Sequence, residues 1–187
     1  MLNTIYINKY VVNGYPMKAL IIIDMWDRYH PGHTRFQNIL EQTVNRLSNV
    51  IKRWQGPVVL ACYNTHKDPV TNQWQTTNLP WTSPNLLLEI TTNDHSNSII
   101  DWDKDSVFEF LVKHNTTELV YAGASLPGCI LDRPLGIKSM QQHFNCSVLI
   151  DCAINLTSTG YNEQEIIHDA YRFALNNNYN LYTRNNI

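Results

Sequence analysis

The stretch Ala19-Leu20-Ile21-Ile22-Ile23-Asp24 decides the fold. An unbroken apolar run stops here at a carboxylate. A strand with one wet face alternates apolar and polar residues, whereas a continuous run suits a strand buried on both faces of a parallel sheet. The flanking sequence agrees. Phe36, Ile39, Leu40, Leu47, Val50, Ile51 and Trp54 form one stripe at helical spacing, and Gly56-Pro57 ends that helix. Val58–Cys62 then predicts a second strand. Further strands are expected at Ser98–Asp101, Leu119–Ala122, Val148–Ile150 and Leu181–Thr183. Helices are expected after a cap at Asp105, over Asp132–His143 and over Asn162–Leu175. Pro134 is read as delaying the helix after Cys129, so that it begins at Asp132. This alternation predicts one domain over 1–187: three α/β/α layers around a six-stranded parallel, Rossmann-like sheet. Thr4–Val12 is read as an extra strand or arm within residues 1–17.

The segment 64–97 reads as a long loop. Pro69, Pro80 and Pro84 interrupt it, Trp74 and Trp81 lie within it, and one short helix is expected near Pro84–Ile90. There is no internal repeat and no linker.

Bulk chemistry narrows the function classes. Charged residues make up 16% of the 187 residues, and the net charge is −2. No Lys/Arg cluster marks a nucleic-acid or membrane-surface footprint. No apolar run approaches the roughly 20 residues that span a bilayer, and Met1–Lys18 has no signal-peptide core. Cys62, Cys129, Cys146 and Cys152 form no C-x-x-C pair and suggest neither a disulfide framework nor a zinc site. A cytoplasmic protein is expected. The Asn-x-Ser/Thr triplets at Asn115, Asn145 and Asn155 are then chance matches. A flavodoxin-like nucleotide binder lacks support, because no Gly-rich loop follows the first strand.

In an open parallel sheet, ligands bind beyond the carboxyl ends of the strands. Asp24 stands there after the first strand, and Gly123-Ala-Ser125-Leu-Pro-Gly-Cys129 follows the fourth. A buried acid is costly unless it is paired or used. A cysteine entering a helix past a glycine-containing turn has backbone amides nearby that favour a thiolate and bind an oxyanion.

At these residues the chain resembles the isochorismatase-like cysteine hydrolases, the family of nicotinamidases and related amidases. Ala19 to Tyr29 resembles the family's first strand and catalytic Asp, with Trp26 in place of the usual Gln. Leu119-Val-Tyr-Ala-Gly123 through Cys129-Ile130 resembles its nucleophile loop. Val148-Leu-Ile-Asp151-Cys-Ala153, His168-Asp-Ala-Tyr and Leu181-Tyr-Thr also fit, in the right order. The resemblance implies Asp24 as general base, Cys129 as nucleophile and the amides of Ser125 and Cys129 as oxyanion hole, with a cis peptide between Ala124 and Ser125. Trp26 and Tyr29 join Ala124 and Ser125 in the implied binding set, while Trp74, Trp81 and Trp102 are read from the residues as either walls of the pocket, Trp102 among the binding candidates, or core and lid packing.

The family's lysine follows its third strand, where this chain carries Asp101. Lys104, three residues on, is the nearest candidate for the third catalytic position. Without a cation, a thiolate beside Asp24 and Asp101 has its pKa raised. Two expectations follow. One is a hydrolase of a small amide or related acyl substrate, working through a thioester with no cofactor and forming a homodimer. The alternative is a catalytically impaired relative that binds a small molecule or a partner. His30 and His33 follow the Asp24 strand and are read as crevice-lining or metal-binding candidates, His66 shows no legible Asp-x-His pattern, and on balance no metal is expected.

Overall fold

Met17–Ile23 (β3) lies at the centre of a parallel six-stranded sheet. The computed structural model describes residues 3–7, 10–14, 16–25, 37–61, 65–67, 74–76, 97–158 and 162–187. The other sheet strands are Val58–Ala61 (β4), Ser98–Ile100 (β7), Thr116–Ala124 (β8), Asn145–Ile154 (β9) and Asn180–Tyr182 (β10), in the order β10-β9-β8-β3-β4-β7. Every pairing in this sheet is parallel. Outside it, Asn3–Ile7 (β1) and Tyr10–Gly14 (β2) form an antiparallel pair, so the single N-terminal strand expected over Thr4–Val12 is instead a hairpin. Thr65–Lys67 (β5) and Trp74–Thr76 (β6) pair antiparallel within the segment read as loop. The helix expected near Pro84–Ile90 lies outside the described residues.

The apolar run of β3 sorts by the period of two that a strand imposes. Ala19, Ile21 and Ile23 enter one core with Val107, Leu111, Ile130, Ile137 and Ala170. Leu20 and Ile22 enter the other with Leu40, Leu47, Val50 and Ile51 of Gln37–Ile51 (α1). All five β3 residues are essentially inaccessible to water. At roughly 1.5–3 kcal/mol for each fully buried Leu or Ile, this strand anchors both layers.

Three local expectations are corrected. The helix Lys104–Lys113 (α2) is capped by Asp103, whose carboxylate accepts from the Ser106 amide at 2.9 Å, and Asp105 lies inside the first turn. The segment expected as one helix over Asp132–His143 is two short ones, Cys129–Asp132 (α3) and Ile137–Met140 (α4). Pro134 therefore does not delay the helix after Cys129; it follows Arg133, which caps that helix with extended backbone. The last helix, Glu163–Asn176 (α5), begins at an Asn162 cap close to the expected position. Among the described residues no helix is long and apolar enough to cross a membrane.

The strand order fixes where a ligand site belongs. From β3 the chain runs outward through β4 to β7, then returns to β8 on the other side and runs on to β9 and β10. The switch point thus lies between β3 and β8, whose last pairing is Ile23↔Gly123. Gly123 has φ +104°, and a Cβ there would stand 2.1 Å from the Ile23 carbonyl oxygen. Gly123→Ala is expected to destabilise the fold by about 2 kcal/mol or more, read as a lower urea midpoint with an unchanged m-value.

Candidate active site

Asp24 leaves β3 at φ +48°, in the left-handed region that few non-glycine residues adopt. Its amide still donates to the Ala61 carbonyl at 2.9 Å, so the turn begins only past that bond. The side chain is buried, 4% exposed. Across the switch point, β8 runs into a loop with two cis peptides, Ala124–Ser125 and Leu126–Pro127. The first is the non-proline cis bond that the resemblance implied. The loop is tied down at several points. The Leu126 amide donates to the Ile154 carbonyl at 2.8 Å, and the Ile130 amide to the Ser125 carbonyl at 3.1 Å. Ser125 Oγ donates to the Pro127 carbonyl at 2.8 Å. Gly128, at φ +125°, turns the chain into α3, and Cys129 is its first residue.

Cys129 and Asp24 meet. The Asp24 carboxylate acts on the thiol through its charge and as a hydrogen-bonding neighbour, and the Ser125 backbone amide lies beside the thiol. Burial pushes the thiol up to about 11, and the negative charge of Asp24 adds to the rise. Arg133 and the Ser125 amide act in the opposite direction. The resting group is a protonated thiol. Alkylation of Cys129 by iodoacetamide is therefore expected to be slower than that of free cysteine at pH 7.5, rising with pH toward about 11. A pH-rate series with mass mapping of the label checks this.

The cation at the site comes from a position the sequence reading passed over. Arg133 Nε donates to Asp24 Oδ2 at 2.8 Å, and both side chains are buried, 8% and 4% exposed. Arg133 stands four residues after Cys129, one helical turn on and so on the same side of the chain. That Cys-x-x-x-Arg spacing was the available signal. Lys104, expected as the third member, directs its amine to Ser139 Oγ on α4 at 2.7 Å. Asp101, which stands where the family's lysine is expected, shapes its own loop. Its carboxylate accepts from the amides of Trp102 at 2.7 Å and Asp103 at 2.9 Å, and from Ser106 Oγ at 2.6 Å.

Of the other expected binding residues, Ala124 and Ser125 are buried in the loop before Cys129, and Trp102 is exposed beyond the carboxyl end of β7. Trp26, Tyr29, His30 and His33 lie outside the described residues. Cys146 and Cys152 are free thiols pushed up to about 12 by burial, in keeping with packing roles. Among the described residues no three His, Cys, Asp or Glu side chains are grouped to hold a metal ion. A groove of about 380 Å³ lined by Lys18, Arg53 and Trp54 lies at the opposite, amino end of the sheet. It contains no nucleophile and is remote from the switch point, so the geometry of Asp24, Cys129 and Arg133 marks the candidate site instead.

Comparison with known proteins bears on the fold. No family model matches the chain, and no curated protein sequence matches it. Solved structures do. The yeast nicotinamidase Pnc1p bound to the inhibitor nicotinaldehyde superposes with a TM-score of 0.59 at 14% identity, covering 89% of this chain and 100% of that one. The Bacillus subtilis nicotinamidase PncA gives 0.54 at 17% identity, covering 88% and 98%. The MAR1 ribonuclease from Caenorhabditis elegans gives 0.56 at 15% identity, covering 90% and 78%. The class defined is thus an α/β/α fold around a six-stranded parallel sheet. More narrowly, it is the isochorismatase-like fold of the nicotinamidases, as the sequence resemblance implied. A structure called a ribonuclease shares it, so the fold alone leaves the reaction open.

Proposed function

We propose that this chain is a cysteine hydrolase of the isochorismatase-like family, acting on a small amide or related acyl substrate through a thioester. The observation that carries the reading is the contact between the Cys129 thiol and the Asp24 carboxylate at the switch point of the sheet.

In this reading Cys129 Sγ attacks the carbonyl carbon while its proton passes to Asp24. The amides of Ser125 and Cys129 receive the oxyanion. Asp24 returns the proton to the departing amine, leaving a thioester. Water then attacks the thioester, Asp24 takes the water proton, and the acid leaves as the thiol is restored.

The raised thiol pKa does not oppose this sequence. It measures loss of the proton to solvent, which would leave two negative charges in a buried site. Transfer from Cys129 to Asp24 moves a proton between neighbours and leaves the pair at one negative charge throughout. The alternative of an impaired binding module draws on the absent lysine and the shortened region after the third strand; the Arg133 guanidinium on Asp24 supplies a cation from another direction and so supports the hydrolase reading.

The test is ammonia release from a panel of small primary amides, nicotinamide included. Turnover of at least one member, lost in Cys129→Ala, supports the reading. Turnover that persists in Cys129→Ala contradicts it.

A further inference from the structure

We infer that Arg133 is the catalytic cation of this site, a permanently charged replacement, carried on the nucleophile's own helix, for a lysine supplied from another strand. The inference rests on the proposed proton exchange between Cys129 and Asp24, but its test needs no substrate.

The geometry supports it in three ways. First, Nε of Arg133 lies 2.8 Å from Asp24 Oδ2, the group assigned to take the thiol proton, so Arg133 touches a reacting atom. Second, the pair is almost fully buried, where a carboxylate with no cation takes up a proton and ceases to be a base. Third, the position after β7 is spoken for: Asp101 organises the turn into α2, and the Lys104 amine sits on Ser139. Asp101 brings a carboxylate where a cation is needed, and the Lys104 amine is engaged by Ser139.

Among the described residues the charges then balance. One guanidinium faces a thiol and carboxylate that together hold one proton and one negative charge. Among the described residues, the charged groups acting on the Cys129 sulfur are Asp24 and Arg133. An arginine stays protonated throughout the working pH range. It therefore fixes the charge state of the pair without itself exchanging a proton. Its backbone is also tied to the nucleophile, since the Arg133 amide donates to the Cys129 carbonyl at 3.2 Å. The cation and the sulfur move as one unit.

The experiment is the pH dependence of Cys129 alkylation by iodoacetamide in the full chain, for wild type, R133K and R133M. In R133M, Asp24 takes up a proton, and because its charge raises the thiol pKa more than Arg133 lowers it, the profile is expected to move to lower pH, with the rate at pH 8 rising about threefold or more. In R133K, which keeps the charge, it is expected to stay within about threefold of wild type. Should R133M fail to fold, the comparison passes to D24N against D24N/R133M. The double variant carries no buried charge from the pair and is expected to alkylate about tenfold more slowly than D24N. A folded R133M with the wild-type profile, or equal rates in D24N and D24N/R133M, overturns the inference. A shifted profile in R133K also overturns it, because charge alone would then not be the agent. Each of these results stands whether or not any amide is hydrolysed, so failure of the hydrolase reading shows separately, in the amide panel.

Discussion

Cys129→Ala is expected to lower turnover of any accepted amide by about 10⁴-fold or more, with the protein still folded. The size follows from the role. The Ser125 hydroxyl in the same loop donates to the Pro127 carbonyl at 2.8 Å, and Cys146 and Cys152 sit on β9 with their thiols protonated and packed. The stability change should be small, within about 1 kcal/mol, because Cys129 is half-buried and the deleted atom is one sulfur. Deleting it also removes a group that burial and Asp24 both oppose ionising. The check is kcat together with a denaturant midpoint on the same preparation. Loss of activity with an unmoved midpoint is the expected pair of results, and lost activity with a collapsed midpoint would show only that the loop needs its cysteine.

Asp24→Ala is expected to strike both function and fold. It removes the proton acceptor, so turnover should fall as far as in Cys129→Ala. It also leaves the Arg133 guanidinium buried without its carboxylate. Breaking a buried ion pair from one side costs about 3–5 kcal/mol. In a chain of this size that corresponds to a melting temperature lower by about 6–12 °C for the smaller figure. The thiol responds in the opposite direction. Asp24 raises the Cys129 pKa both by its charge and by its hydrogen bond, while Arg133 lowers it. Without Asp24 the thiol should become more acidic, so alkylation at pH 7.5 should speed up while hydrolysis disappears. That divergence separates a lost base from a lost structure. Thermal melts and alkylation rates on Asp24→Ala measure it directly.

The parts of this architecture that were legible in the sequence are those written in burial. An unbroken apolar run of this length, rich in β-branched residues and ended by a carboxylate, places β3 inside the sheet, with both faces of five successive residues dry. The carboxylate that ends it and the glycine-bracketed loop before Cys129 marked the crevice, since both sit past strands that had to be parallel. Helix termini were less legible. Asp103 and Asp105 are both good caps, and only the Asp103 carboxylate meets the Ser106 amide. Pro134 drew the expected helix the wrong way. It ends a four-residue helix that had already begun at Cys129, and a second short helix follows Gly136.

The cation was missed for a different reason. The resemblance directs attention to the end of the third strand, and the nearest lysine there is Lys104. Charge compensation, however, depends on position in space. An arginine one turn after Cys129 reaches the same carboxylate from a different direction. The four-residue spacing from Cys129 was readable, but nothing in the linear sequence says that a guanidinium should fold inward to a strand end 109 residues earlier. Only the pairing of β3 with β8 brings the two together.

The central claim is that Cys129 forms a covalent acyl intermediate with Asp24 exchanging the proton. Its most direct measurement is the intact mass of the protein quenched in acid during turnover of an amide or activated ester from the panel. The expected result is a mass increase equal to the acyl group, mapped by peptide digestion to Cys129 and absent from Cys129→Ala. Steady turnover with the acyl group on another residue, or accumulation of the same adduct in Cys129→Ala, would contradict it.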